Sequence, residues 1–326
     1  MPTSPARKWL VAAAKLAVLA LVVWFVQDTL VDAWRQLGKH PWRVDPGWLA
    51  ATGAFYLLGL LPAGLFWWYL LRVMGQPAAP GEALRAYFIG HLGKYVPGKA
   101  MVVVLRAGLI RGRHVDVGVA AASVFAETLT MMAVGAVLAA GTLAIRLSDE
   151  RALFWGALGL ALLAGLPTLP PIFRRVARLA GVGRNRPEVA KQLDRLNWAV
   201  LGVGWLAMLA SWCGLAASLW AMLRALGLDV PGLFADPAAY IAAVSLSMVA
   251  GFLSLIPGGL GVRDMILLRL LARLFPLTAA EAVVAGVLLR LTWLISELVL
   301  SALLYLLPGV TSCSRLSCRF TTKRKA

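Results

Sequence analysis

Seven uninterrupted apolar runs, at roughly 9–26, 48–71, 117–145, 152–169, 198–223, 238–256 and 281–307, constrain this 326-residue chain more than any other feature. Each approaches or exceeds the ~18–20 residues that a helix needs to cross the hydrocarbon of a bilayer. No water reaches backbone groups there, so a segment in lipid must be a helix or part of a closed barrel. The two-residue alternation of a barrel strand is absent. The runs therefore predict an all-α polytopic membrane protein of about eight transmembrane helices. It forms one domain over 1–310, followed by a basic tail at 311–326. At 60% apolar and 14% charged, the chain lies far from the roughly 45–50% and 25% of soluble domains. A soluble enzyme core, a disordered chain and a disulfide scaffold are excluded.

Two further apolar stretches are broken. One, at about 84–109, contains His91-Leu-Gly-Lys-Tyr-Val-Pro-Gly-Lys99; the other, at about 254–275, contains Ile256-Pro-Gly-Gly-Leu-Gly-Val-Arg-Asp264. Proline removes a backbone donor and clashes with the preceding turn, while glycine lowers the cost of unwinding. Neither stretch is expected to run through as one helix. Irregular backbone at membrane depth survives only where protein or water covers it.

The formal net charge of +17 is distributed unevenly. Residues 170–197 hold Arg174, Arg175, Arg178, Arg184, Arg186, Lys191 and Arg195 against Glu188 and Asp194, and the tail adds five basic residues without an acid. The positive-inside rule then places the N-terminus, 170–197 and the tail in the cytoplasm of an inner-membrane protein, with 27–47, 146–151 and 224–237 outside. Both ends on one side demands an even number of crossings. With seven continuous runs, the second broken stretch is expected to complete a crossing and the first to be re-entrant. Arg7 and Lys8 before the run at 9–26 resemble a signal peptide, but no small-residue cleavage site follows, so an uncleaved first span is expected. Nucleic acid is excluded as a partner, since no basic, aromatic-interleaved soluble domain is present.

Pro97-Gly98 and Pro257-Gly258 fall in corresponding halves of the chain. Paired interrupted segments of this kind mark the binding site in many transporters, since half-helix ends aim free N–H groups into a cavity. Lys94, Lys99 and Arg106 flank the first break and Arg263 the second. Such cations are costly in a bilayer and suit a phosphate. The competing reading is that each Pro-Gly is a turn between spans and the cations are interfacial anchors. Gly93-Lys-Tyr-Val-Pro-Gly-Lys99 also approaches a phosphate-cradling P-loop, but Ala100 replaces the Ser/Thr that would ligate magnesium and Pro97 removes a cradling N–H. An ATPase is rejected.

Glu127, Glu281, Arg290 and Glu297 lie in apolar runs, where ionisable residues are functional or paired. Glu127 is expected to pair with Arg290 across the bundle. Arg290 and Glu297, seven residues apart, share one helical face. His91 is a packed or proton-linked histidine. Trp67, Trp68 and Tyr69 read as an interfacial belt, and Cys213 as a small packed residue. Cys313 and Cys318 alone do not make a metal site, and no cofactor is expected.

At the broken segments the sequence resembles the flippase-like transmembrane region of lysylphosphatidylglycerol synthases. A Lys-Tyr-x-Pro-Gly-Lys segment followed by Arg is matched by Lys94, Tyr95, Pro97, Gly98, Lys99 and Arg106. A Pro-Gly-Gly-x-Gly-x-Arg-Glu segment is matched by Pro257, Gly258, Gly259, Gly261 and Arg263, with Asp264 in place of Glu. The acid after the first motif and the Arg of the last span correspond to Glu127 and Arg290. The resemblance covers about 9–307 and implies about eight spans and translocation or handling of an anionic phospholipid or lipid-linked headgroup between leaflets. The twelve motif residues from Lys94 to Asp264 would bind it. It implies no aminoacylation, since that belongs to a separate soluble module, and a non-enzymatic protein is expected. A lipid or polysaccharide synthase is the expected protein partner. The alternatives are a transferase using a lipid-linked donor, for which Asp28 and Asp32 offer the acids, and a non-transporting scaffold for such a synthase.

Overall fold

The computed structural model describes residues 44–95, 100–110, 115–146, 149–182, 191–254 and 261–306. The expected span at 9–26 and the tail lie outside them, as do Pro97, Gly98, Lys99, Pro257, Gly258 and Gly259. So do Asp28, Asp32, Cys313 and Cys318.

Every regular element among the described residues is helical. In chain order these are α1 (Pro46–Val73), α2 (Pro80–His91) with a 3₁₀ turn Leu92–Tyr95, α3 (Ala100–Leu109), α4 (Val117–Arg146), α5 (Arg151–Gly165), α6 (Pro170–Leu179), α7 (Trp198–Ala225), α8 (Pro237–Leu253), α9 (Val262–Leu274) and α10 (Ala279–Leu306). Five are long and apolar enough to cross a membrane: α1, α4, α5 with the turn that extends it to Thr168, α7 and α10. Their outward faces carry Leu58, Phe125, Leu162, Leu206 and Ile295, all more than half exposed. Apolar side chains at that density suit lipid rather than water. This is a multi-pass membrane protein.

The helix starts follow local chemistry. Asp45 caps α1, accepting hydrogen bonds from the N–H groups of Gly47 (2.7 Å) and Trp48 (3.2 Å), with Pro46 at the first helical position. Asn197 caps α7 and Asp236 caps α8 in the same way. Such side chains satisfy orphan donors of the first turn, and proline there loses no hydrogen bond. Glu281 is not a mid-span charge. It accepts from the N–H (2.7 Å) and hydroxyl (2.8 Å) of Thr278 in a capping box that opens α10.

The two broken stretches are both hairpins. In the first, α2 and α3 run antiparallel and very close. A Cβ on Gly93 would lie 2.6 Å from the Val102 nitrogen, and one on Gly90 would lie 2.5 Å from Arg106 Cγ. The hairpin is closed at its base by Gln76, whose Oε1 accepts from the N–H of Asp116 (2.8 Å). Gln76 in turn donates to Gln192 at 3.0 Å, which fixes this as the end carrying the basic 170–197 segment. The second hairpin, α8 with α9, enters from the opposite end. There Arg146 at the end of α4 meets Asp236 (2.9 Å), and Tyr240 near the start of α8 packs on Phe275 just beyond α9, ring centres 4.7 Å apart.

The second broken stretch therefore does not complete a crossing. The run at 238–256 is one arm of a re-entrant loop, 17 residues long, about 26 Å at 1.5 Å per residue and short of a full span. Its return arm α9 ends beside Asp149 and Glu150, between α4 and α5, through Arg269–Glu150 at 2.6 Å and Arg273–Glu150 at 3.2 Å. Arg269 and Arg273 are 59% and 44% exposed, so these pairs are screened and weak. Arg273→Ala is expected to cost no more than about 1 kcal/mol, with the difference in unfolding midpoint vanishing in high salt.

Residues 46–146 and 198–306 thus repeat one order, span–broken hairpin–span, in opposite directions through the membrane. The lead helices α1 and α7 are both 28 residues long and cross in antiparallel contact at Gly59 and Gly214. A Cβ on Gly214 would sit 2.5 Å from Gly59 Cα. Small residues permit this approach, the usual way membrane helices gain packing where lipid offers no hydrophobic drive. Ser218 on α7 donates to the carbonyl of Thr52 on α1 (2.8 Å) beside the crossing.

Two expectations about single residues change. Trp67 is fully buried and donates to Ser123 Oγ (2.9 Å), so it belongs to the core, not to an interfacial belt. Cys213 faces outward from α7, because its neighbours Trp212 and Gly214 take the inward positions.

Candidate functional site

Because the hairpins enter from opposite ends, Lys94 and Tyr95 of the first and Arg263 and Asp264 of the second converge on the middle of α10, which is 28 residues long. Helical spacing presents Arg290, Trp293 and Glu297 on one face of it, and each meets a different element.

Glu297 is 3% exposed and receives the first hairpin. Its Oε1 accepts from Lys94 Nζ at the hairpin tip and from the Tyr56 hydroxyl on α1. Lys94 also donates to the Tyr56 oxygen (3.1 Å), and its ammonium sits 5.0 Å from the Tyr95 ring centre. Tyr95 is buried against Leu294, with Leu291 and Leu298 around it, which seats the turn on α10. Tyr56 stacks on Trp293, with ring centres 4.4 Å apart and planes 13° apart. The Trp293 indole N–H donates to Ser218 Oγ (2.8 Å), tying this stack to α7.

Asp264 and Arg263 open α9. Gly261 adopts φ +79°, a left-handed conformation that only glycine takes without cost. This sharp turn starts α9, and Asp264 Oδ2 accepts from the Gly261 N–H at 3.1 Å. The same oxygen accepts from Arg290 Nη1 at 2.7 Å, which pins the second hairpin to α10. Arg263, one residue earlier, lies over the Trp293 ring with its guanidinium carbon 4.8 Å from the centre. It makes no salt bridge among the described residues. A charge aimed at an aromatic face beside two filled ion pairs leaves the cluster of Lys94, Arg263, Arg290, Asp264 and Glu297 one positive charge in excess.

Arg106 and Glu127 form a separate buried pair behind this cluster. Arg106 Nη1 donates to Glu127 Oε2 at 2.7 Å, and both residues are 2% exposed. The guanidinium stacks on Tyr87 at 3.9 Å, while the Tyr87 hydroxyl (3.4 Å) and Thr128 hydroxyl (3.2 Å) complete the carboxylate. His91 joins the two groups, with Nδ1 3.4 Å from Arg106 Nη2 and Nε2 3.5 Å from the Tyr56 hydroxyl.

The fold therefore brings together Lys94, Tyr95, Arg263 and Asp264 from the motifs, and Gly261 shapes the turn that presents two of them. It sets Arg106 aside, as the latch of the first hairpin rather than a free cation. The expected Glu127–Arg290 pairing is replaced: α3 folds back beside α4 and gives Arg106 to Glu127, while Arg290 reaches Asp264. The polarity of the two latches is reversed, with cation on the hairpin in the first repeat and on the following span in the second. Tyr56 and Trp293 were not among the expected site residues. Trp293 had a signal, since it lies midway between Arg290 and Glu297 on their shared face. Tyr56 had none, because nothing in a sequence says which face of α1 turns toward α10.

The family model of the lysylphosphatidylglycerol synthase TM region matches residues 12–301. The chain is also 27% identical over 340 residues to the glycosyltransferase AglD of Haloferax volcanii, an alignment covering 88% of this chain and 52% of that protein. It thus spans about half the length of the curated relative it matches.

Proposed function

Since the chain belongs to the lysylphosphatidylglycerol synthase transmembrane region family, we propose that it moves a lipid with an anionic headgroup between the two leaflets of a cell membrane. The observation that carries this reading is Arg263: a guanidinium at the meeting point of two opposed broken hairpins, beside Lys94, with no carboxylate partner among the described residues. A headgroup phosphate supplies the missing anion, and its tails stay in lipid. Arg and phosphate pair through two parallel hydrogen bonds, and Lys adds a point charge. Moving a charged group across hydrocarbon unaided costs several kcal/mol or more, and a protein-lined polar path lowers that barrier. Inverted repeats with broken helices suit such a path, since rocking one repeat against the other exposes the site to each side in turn. The protein acts without chemistry of its own, in an inner membrane with cytoplasmic termini, as a transporter that serves a lipid or polysaccharide synthase.

The test is tail-labelled phosphatidylglycerol in proteoliposomes, with the label in the outer leaflet destroyed by an impermeant reductant. Arg263→Ala is expected to slow movement at least tenfold, matching the roughly 1.5–3 kcal/mol of a hydrogen bond to a charged group. Its unfolding midpoint should hold, because no ion pair is broken. Lys99→Ala, beside the first Pro-Gly break, is expected to act in the same direction. Unchanged rates in both variants refute the proposal.

The name of the archaeal relative favours a second reading, a transferase acting on a lipid-linked donor. Product formed from a labelled lipid-linked sugar, and lost on changing Asp28 and Asp32, would support it.

A further inference from the structure

Helix α6 follows the α5 span, which the turn extends to Thr168, after one extended residue, Leu169 (φ −60°, ψ 128°). It therefore starts where that span reaches the membrane surface. Its ten residues divide into three sectors around the axis. Pro170, Phe173 and Ala177 are buried. Next around the helix come Arg174, Arg178 and Arg175, and after them Leu179, Ile172 and Val176, each more than a third exposed. An apolar row of this kind is costly in water. Laid at the surface of a bilayer it meets acyl chains, and the arginines beside it sit at headgroup depth.

The arginine sector opens on a groove of about 490 Å³, lined by the three arginines with Pro171, Leu179 and Asp194. Asp194 pairs with Arg178 and, at 3.9 Å, with Arg174. Arg174 also donates through Nε to the Pro170 carbonyl (3.0 Å). Arg175 is exposed and makes no salt bridge among the described residues. Three guanidinium groups against one carboxylate leave this groove with two positive charges in excess.

We propose that the groove binds the headgroup of an anionic phospholipid resident in the leaflet on the side of the 170–197 segment, with its acyl chains along Leu179, Ile172 and Val176. Arg175 and Arg178 hold the phosphate, since each guanidinium offers two parallel donors to it. Asp194 competes with the phosphate for Arg178. The apolar row selects a lipid over other anions, because a nucleic acid or an acidic peptide would leave that row in water. This is also the side that the positive-inside rule assigns to the cytoplasm, where the leaflet is anionic. Gln192, two residues before Asp194, accepts from Gln76 at 3.0 Å, so the lipid is held beside the base of the first hairpin. The site does not rest on the transport reading, since no residue of the Lys94–Arg263 cluster lines it.

Photolabelling of the full-length protein in phosphatidylcholine proteoliposomes tests this. The probe is a trace of phosphatidylglycerol, or of phosphatidylcholine, with a photoactivatable diazirine near the top of one acyl chain, and labelled residues are located by mass spectrometry. In wild type, Ile172, Val176 and Leu179 are expected to label at least about fivefold more with the phosphatidylglycerol probe, the advantage of roughly one basic side chain near an anionic group. That preference should fall towards parity in about 1 M salt. Arg175→Gln together with Arg178→Gln should abolish the preference while labelling by the phosphatidylcholine probe persists, which shows the helix still in place. Asp194→Asn should raise the preference by freeing Arg178, a gain that a misfolded variant does not give. Arg263→Ala should leave it unchanged. Equal labelling by the two probes in wild type, or a preference that survives the double substitution, overturns the headgroup site. Absence of label on α6 from either probe overturns its place at the membrane surface. Loss of the preference in Arg263→Ala would make the lipid at α6 part of the transported pool and overturn a separate site.

Discussion

Glu127→Ala is expected to destabilise the protein by about 3–5 kcal/mol, because it leaves the Arg106 guanidinium buried without a countercharge. Arg106 is 2% exposed and faces Tyr87, Trp67 and His91, none of which carries a full negative charge. Water cannot replace the lost carboxylate without opening the contact between α3 and α4. Removing both charges is a different experiment. The double variant Arg106→Met, Glu127→Leu fills similar volume without an ionic group and is expected to recover most of the loss. Unfolding midpoints in detergent for the single and double variants check this, and equal losses in both would show that packing, not charge, holds the hairpin. Because Arg106 also faces His91, the single variant should loosen the seating of Lys94 on Glu297.

Gly214→Val should be comparably severe for a purely steric reason. A Cβ at this position lies 2.5 Å from Gly59 Cα and 3.0 Å from Gly59 nitrogen, which are backbone atoms with no rotamer to relieve the clash. Overpacking in a core typically costs about 1–3 kcal/mol, and this site is expected at or beyond the upper end. The displaced helix is α1, and Tyr56 sits one turn before Gly59, so its bond to Glu297 and its stack on Trp293 should weaken together. Headgroup transport should therefore fall with stability. Gly202, on the same helix α7, has nothing within 4 Å of where a Cβ would be. Gly202→Ala is the matched control, expected to be neutral or slightly stabilising, within about 1 kcal/mol. A thermal melt that ranks the two variants equally would contradict the close crossing of α1 and α7.

Much of the site could be read before any fold was known. Broken, cation-bearing segments at corresponding positions in two halves pointed to Lys94 and Arg263, and the spacing of Arg290 and Glu297 placed both on one face. What could not be read was the partner of each charge. Glu127 offered itself to several cations, and the choice of Arg106 depends on α3 folding back along α4. Glu281 seemed a mid-membrane acid because the apolar run around it is continuous. Three residues earlier, however, Thr278 had already written a capping box.

The amino-acid sequence alone determined that this chain lives in a bilayer as a bundle of helices, interrupted at two places. That follows from local physics: long apolar runs must satisfy their own backbone in lipid, and Pro-Gly cannot. The tertiary structure decided that the second broken stretch is re-entrant like the first, that the two hairpins enter from opposite ends, and that Lys94 of one and Arg263 of the other meet on one face of α10. A 17-residue arm followed by a break is compatible with a crossing or a return, and hydropathy is the same for both. Only the packing of α9 back along α8, with Tyr240 against Phe275 and Asp264 against Arg290, selects the return and so creates the site.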